Sequence, residues 1–146
     1  MAYQTVNPYD NHVVATFDDL TDQQVTQLVA QAQNTFESWS QKSFDERAAV
    51  CRRAAAILRE RADEFARLLT LEMGKLYAES LGEVQLSAEI FDYYAENAEA
   101  FLAPERLNTA SSDDDAVLVS APLGVSWGFS RGTSRITSWC GSRRPT

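Results

Sequence analysis

Apolar residues recur every three or four positions along three stretches of the chain, the spacing typical of amphipathic helices. The first stretch follows Thr21-Asp22-Gln23-Gln24, a capping box with a hydroxyl at the cap and a glutamine three residues on. Its apolar positions are Val25, Leu28, Val29, Ala32, Phe36 and Trp39. The second stretch follows another capping box, Ser43-Phe44-Asp45-Glu46, and comprises Phe44, Ala48, Cys51, Ala55, Leu58, Ala62, Phe65 and Leu69. This spacing predicts one continuous second helix that stops at Met73-Gly74, because glycine favours the left-handed cap.

The third stretch comprises Leu81, Val84, Ala88, Phe91, Ala95, Ala98 and Leu102, and it ends before Pro104, which cannot continue a helix. Ser111–Asp115 then predict a polar, acidic turn, and Ala116–Ser120 a short strand closed by Pro122-Leu123-Gly124. The predicted fold class is mainly α, with three long helices and one or two short strands. A further surface usually completes the core of three such helices, and a lone strand needs partners. The pattern therefore indicates that these elements are the first part of a larger fold.

Composition narrows the class of protein. The chain has 146 residues, the usual length of one domain, and a formal net charge of −8. This acidic balance argues against nucleic-acid binding. It has no apolar run long enough for a membrane helix, and its N-terminus lacks the regions of a signal peptide. Two cysteines, Cys51 and Cys140, make neither a disulfide framework nor a metal site. We expect a soluble cytoplasmic protein.

The charge is distributed unevenly along the chain. Residues 1–125 hold all 21 acidic residues and nine of the 13 basic ones. Residues 126–146 hold no acid, are rich in serine, and contain Arg131, Arg135, Arg143 and Arg144. Because so abrupt a shift of composition usually marks a boundary, we predict a helical part at 1–125 and a separate tail at 126–146.

Few residues carry candidate chemistry. Cys51 lies on an apolar stripe and is expected to be a buried small hydrophobe. No histidine is near it in sequence to activate it as a nucleophile. The only histidine, His12, is predicted to lie at the surface in a turn. Glu72 and Lys75 predict a solvated ion pair, and Asp113–Asp115 a solvated turn, although such a run could recruit a cation. With no phosphate-binding loop and no nucleophile elbow, the residues themselves predict no catalytic, cofactor-binding or metal-ligating side chain.

Five segments, taken together in their order and spacing, identify a protein family more specifically than any one of them does alone. They are Tyr3-Gln4-Thr5-Val6-Asn7-Pro8, Ser43-Phe44-Asp45-Glu46-Arg47-Ala48, Leu69-Thr70-Leu71-Glu72-Met73-Gly74-Lys75, Tyr93-Tyr94-Ala95-Glu96-Asn97-Ala98-Glu99-Ala100-Phe101-Leu102 and Ala121-Pro122-Leu123-Gly124-Val125. Together they resemble the N-terminal part of the aldehyde dehydrogenase superfamily, most closely its bacterial succinate-semialdehyde dehydrogenase branch. The resemblance covers about residues 1–125 and implies a much longer α/β parent that oxidises an aldehyde to an acid with NAD or NADP, through a cysteine thiohemiacetal. In that parent, this chain would supply the helices preceding the cofactor-binding fold and one strand of the bridging, oligomerising segment.

The resemblance breaks after Val125. The family continues with a strand and Pro-Trp-Asn-Phe-Pro, whose asparagine amide helps to hold the oxyanion, whereas this chain continues Ser126-Trp127-Gly128-Phe129-Ser130. One allowed coding of residues 127–140, translated after dropping its first two bases, gives Gly-Phe-Gln-Pro-Trp-Asn-Phe-Pro-Tyr-Tyr-Gln-Leu-Val, the family's next segment. We therefore expect the loss of one base in or beside the Val125 codon, which would make 126–146 an out-of-frame, unstructured tail. The alternative is a genuine basic tail that binds something acidic.

The resemblance also sets expectations for activity and partners. The family's nucleophilic cysteine, general-base glutamate, ribose-binding lysine and glycine-rich cofactor turn lie downstream, so no catalytic or cofactor residue is transferred to this chain, and Cys140 is not the nucleophile. We expect no cofactor for this chain, NAD or NADP for the parent, and no activity from the chain alone. Its uncovered apolar faces predict partial folding, self-association or proteolysis. The alternative is a non-catalytic helical module that binds a full-length relative by offering Ala116–Ala121 as an added strand.

Overall fold

Helices dominate the fold. The computed structural model describes residues 3–110 and 115–128. Its helices are α1 (Asp22–Trp39), α2 (Phe44–Glu60), α3 (Ala62–Met73) and α4 (Tyr77–Phe101). The predicted mainly α fold class is confirmed, with four helices where the pattern indicated three.

Both predicted capping boxes are present. The Thr21 hydroxyl accepts the Gln24 backbone N–H at 3.3 Å, and the Gln24 amide oxygen accepts the Thr21 backbone N–H at 2.9 Å. Ser43 and Glu46 make the equivalent pair of bonds at 3.2 and 3.0 Å. Each box satisfies backbone donors that the first turn of a helix leaves without an internal partner. These caps fix where α1 and α2 begin.

The prediction of one continuous second helix is wrong, because the chain breaks at Arg61 into α2 and α3. The backbone there leaves the helical region, with φ −109° and ψ 26°. Helical bonding nevertheless continues on both sides, since the Arg61 N–H reaches the Ile57 carbonyl at 3.0 Å and the Phe65 N–H reaches the Arg61 carbonyl at 3.1 Å. The apolar stripe therefore runs through the break without an extra residue, and neither glycine nor proline marks it.

The predicted stop after Met73 is confirmed. Gly74 adopts the left-handed conformation, with φ 67°, and its N–H bonds to the Thr70 carbonyl at 3.0 Å. A side chain is excluded there for a second reason, since a Cβ on Gly74 would lie 2.9 Å from Cγ of Pro8. The turn that contains Pro8 therefore lies against the end of α3.

The core lies where α4 packs along both α2 and α3. Its buried apolar residues are Ala48, Ala55, Ala66, Leu69, Val84 and Ala88. Four of the six are alanines, which lets the helix backbones approach closely. The central cluster joins Ala66 and Leu69 of α3 to Val84 of α4.

Two antiparallel strand pairs flank the helices. They are β1 (Tyr3–Val6) with β2 (Val13–Phe17), and β3 (Glu105–Leu107) with β4 (Ala116–Leu118). The predicted strand is confirmed at its start, Ala116, and ends two residues early, while β1, β2 and β3 were not predicted. The predicted turn lies outside the described residues except for Asp115, as does most of the predicted tail, 129–146.

Candidate functional site

The residues with candidate chemistry lie on different elements of the fold. Cys51 is on α2 as a free, half-buried thiol, less enclosed than the buried hydrophobe that the pattern predicted. His12 is exposed in the turn between β1 and β2, where its N–H donates to Asp10 Oδ1 at 2.9 Å and its carbonyl accepts from Asn7 at 2.8 Å. His12 therefore occupies the surface turn that the sequence predicted.

The junction of α3 and α4 holds a polar seam made of Thr70, Lys75, Ser80 and Glu83. Glu83 and Ser80 are buried within α4. Lys75, which the sequence paired with Glu72, donates from Nζ to the Glu83 carboxylate in an ion pair. The Thr70 and Ser80 hydroxyls lie 3.2 Å apart in a second bond across the same junction. Helical spacing within one segment could not have indicated these pairs, since Lys75 lies in the linker between α3 and α4 and the bond between Thr70 and Ser80 crosses the Gly74 turn.

A second polar group lies beside that junction at the surface. Asp63 accepts the Arg67 Nε–H at 2.7 Å and the Tyr77 hydroxyl at 2.6 Å. The Arg67 bond, and then the Tyr77 bond, lower the pKa of Asp63, while the bond to Asp63 raises the pKa of Tyr77. Arg67 and Tyr77 thus both donate to the same carboxylate within the protein. The arrangement is that of a structural contact between α3 and the start of α4.

Neither a metal-ligand cluster nor a membrane-spanning helix is found in the described part of the chain. Within residues 3–110 and 115–128 there is no cluster of three His, Cys, Asp or Glu side chains that could hold a metal ion. Asp115, the described member of the acidic run, lies 3.4 Å from Arg106 in an exposed ion pair. None of the described helices is long and apolar enough to cross a bilayer.

The most distinctive surface features are apolar. The apolar residues of α1 form what we call the α1 stripe, namely Val25, Leu28, Val29, Ala32, Phe36 and Trp39. The helix buries none of its residues, and Leu28 and Val29 are 51% and 55% exposed. A second exposed apolar segment runs through Val117, Leu118 and Val119 at β4. These surfaces suit contact with another polypeptide better than chemistry on a small molecule.

Known proteins match most of this chain. The aldehyde dehydrogenase family model matches residues 1–130. A succinate-semialdehyde dehydrogenase (NADP(+)) of Deinococcus radiodurans is 43% identical over 127 residues, which are 87% of this chain and 26% of that protein. Succinate-semialdehyde dehydrogenase (NADP(+)) 1 of Mycobacterium tuberculosis is 40% identical over 126 residues, which are 86% of this chain and 28% of that protein.

Solved structures agree with these matches. Succinic semialdehyde dehydrogenase from Streptococcus pyogenes, solved in complex with NADP+, aligns with a TM-score of 0.75 and 39% identity over 81% of this chain and 26% of that one. The protein Gox0499 aligns with a TM-score of 0.79 and 33% identity over 84% of this chain and 27% of that one. This chain thus spans about a quarter of the length of the relatives it matches.

Proposed function

Because this chain belongs to the aldehyde dehydrogenase family, we propose that its residues 1–125 are the N-terminal part of an NADP-dependent succinate-semialdehyde dehydrogenase. The complete enzyme would oxidise succinate semialdehyde to succinate. The observation that carries the proposal is the 43% identity to the Deinococcus radiodurans enzyme over most of this chain. The Streptococcus pyogenes relative, solved with NADP+, supports the choice of NADP over NAD.

The chain of 146 residues does not catalyse this oxidation in our proposal. Aldehyde oxidation through a cysteine thiohemiacetal needs an activated cysteine, and the described cysteine, Cys51, is half-buried on α2 far along the chain from the only histidine. The matched quarter precedes the segment in which the family resemblance places the nucleophile, the general base and the cofactor turn. The alternative-frame translation after Val125 supports the view that a shifted frame separates this chain from that segment.

Restoring the reading frame tests both statements. One base is inserted at the Val125 codon of the gene, and the product is purified and assayed for NADPH formation from succinate semialdehyde and NADP. A matched control receives two bases at the same place, which leaves the downstream frame wrong. We expect turnover from the one-base product, and none from the two-base product or the chain of 146 residues. An inactive, folded one-base product, or turnover by the 146-residue chain, would contradict the proposal.

A second candidate is the non-catalytic module. It is favoured by the two-stranded sheet of β3 and β4, whose exposed apolar residues Val117, Leu118 and Val119 adjoin an open strand edge among the described residues. Such an edge can add to the sheet of a full-length relative through backbone hydrogen bonds. A tagged chain should then retain the Deinococcus radiodurans enzyme on a column. Val119→Pro, which removes a backbone donor, should abolish this retention, whereas Val119→Thr should preserve it.

A further inference from the structure

The α1 stripe is an amphipathic helix face that the described fold leaves uncovered. Its six residues lie within one side of α1, because they recur at the three- and four-residue steps of a helix. Ala32 and Phe36 are half-buried, and the other four are exposed. By contrast, α2, α3 and α4 bury apolar residues against one another. A well-capped helix whose apolar side stays in water is expected to have a partner.

Charge disfavours a second copy of this chain as that partner. Residues 1–125 carry 21 acids and nine bases, so two copies would bring like charges together. Within α1 itself the charged residues are Asp22 and Glu37, and neither is basic. Nothing on this helix would offset the repulsion between two copies.

The longer chains of the solved relatives suggest a different partner. In the Streptococcus pyogenes and Gox0499 structures, the same fold is only 26% and 27% of a single longer chain. About three quarters of such a chain is therefore available to contact a face that the described residues leave open. The partner is then a polypeptide of defined kind, namely the part of an aldehyde dehydrogenase that follows the matched segment.

We propose that the α1 stripe docks on this remaining three quarters of a succinate-semialdehyde dehydrogenase chain, so that the two polypeptides complete one protein without a peptide bond between them. The inference rests on the proposed function, since it takes the partner from the same enzyme class. It differs from strand addition because the contact is a helix face, and the partner lacks its own copy of the matched segment.

Co-expression tests the docking directly. The chain of 146 residues is produced together with a tagged Deinococcus radiodurans enzyme from which the matched segment has been deleted. We expect the two polypeptides to elute together at a one-to-one ratio and the tagged partner to be more soluble than when it is produced alone. A partner that stays insoluble in the presence of this chain, or that elutes without it, would overturn the proposal.

A matched pair of double variants tests whether the α1 stripe makes the contact. Leu28→Asp with Val29→Asp places two charges on the stripe, and we expect binding to weaken about tenfold or more, or about 1.4 kcal/mol. Gln27→Asp with Asn34→Asp adds the same charge on the opposite side of α1 and should leave binding unchanged. Equal effects of the two pairs would overturn the proposal. Thermal melts of both variants, expected to match the parent, exclude unfolding as the cause.

The result is separable from the proposed activity. Co-elution needs no turnover, so failure of docking would leave the assay of the frame-restored enzyme untouched. Inactivity of that enzyme would contradict the proposed function, while the co-elution result would still hold. A stripe variant that dissociates only a homodimer of this chain would point to self-association and would contradict the chosen partner.

Discussion

Helices α1 and α2 begin alike and end up in different environments. Each starts with a complete capping box, at Thr21 and at Ser43, and each carries an apolar stripe at helical spacing. Yet α2 buries Ala48 and Ala55 against α4, whereas α1 buries nothing. The pattern of a helix therefore predicts that it has an apolar face and where it starts, but not whether the same chain supplies a surface to cover that face.

The difference separates a part of the molecule that has a buried core from a flanking part that has none. The core formed by α2, α3 and α4 has buried alanines, a buried valine and a polar seam between α3 and α4. The flanking part comprises α1 and the two strand pairs, which expose many large apolar side chains. Partial folding stays a prediction, and we expect it in the flanking part. Three pairs of substitutions and one pH series test this division.

The largest contrast is expected between a charge in the core and the same charge on α1. Val84 is fully buried, so Val84→Asp places a carboxylate in an apolar cluster and should cost about 4 kcal/mol or more, enough to abolish a cooperative melt. Leu28→Asp should change stability by about 0.5 kcal/mol or less, because Leu28 is exposed. Circular dichroism during heating measures both. Similar melting shifts for the two variants would remove the distinction between core and flank.

The next contrast compares two lysine–glutamate pairs. Lys75→Met removes one partner of the Glu83 carboxylate, whose side chain is only 6% exposed, and should cost about 1–3 kcal/mol. Lys42→Met breaks the exposed pair with Glu46, 2.6 Å apart, and should cost about 0.5 kcal/mol or less. Urea unfolding curves give both values. Equal losses would show that the seam between α3 and α4 is no more than a surface ion pair.

Two glycine substitutions test the contact between the β1–β2 turn, which contains Pro8, and the end of α3. Gly74→Ala should lower stability by about 1–2 kcal/mol, because the residue has φ 67° and its new Cβ would meet Pro8. Gly82→Ala should raise stability by about 0.5–1 kcal/mol, since Gly82 is inside α4 with open space around it. The urea midpoints should therefore move in opposite directions. Movement in the same direction would contradict the tight turn at Gly74.

The smallest effect concerns pH. Bonds from Arg67 and Tyr77 lower the pKa of Asp63, and Arg61 lowers that of Glu64. A lowered folded-state pKa adds stability above the unfolded-state pKa, and that stability disappears as pH falls through the folded-state value. The parent should thus melt slightly above Asp63→Asn at neutral pH, and the gap should close in acid and shrink in high salt. A gap that widens in acid would contradict the sign of the shift.

Much of the helical fold follows from local sequence signals. The two capping boxes, the glycine stop at Gly74 and the end of α4 before Pro104 were all predictable, because each depends on residues within a few positions of one another. The break at Arg61 was not, since no residue type there disfavours a helix and the apolar spacing passes through it unchanged. The strands β1, β2 and β3 are three to five residues long, too short for an alternating pattern to stand out.

The candidate site was predictable only in a limited sense. Sequence placed His12 in an exposed turn, and the structure confirms this. It paired Lys75 with the neighbouring Glu72 because spacing within a helix suggests only local partners, whereas Lys75 lies in the linker after α3 and contacts Glu83 of α4. Likewise, the bond between Asp63 and Tyr77 joins two helices, and no local rule links those positions.

The coding bases for residues 125–140 decide whether this chain is, as we propose, the first part of a succinate-semialdehyde dehydrogenase whose reading frame shifts after Val125. Asparagine in the family's Pro-Trp-Asn-Phe-Pro motif requires the codon of Gly132 to end in A, and the preceding tryptophan requires that of Arg131 to end in T. We predict CGT followed by GGA, with the alternate frame open onward from there. A Gly132 codon ending in any other base, or an early stop in the alternate frame, would contradict the shift and leave a genuine basic tail in its place.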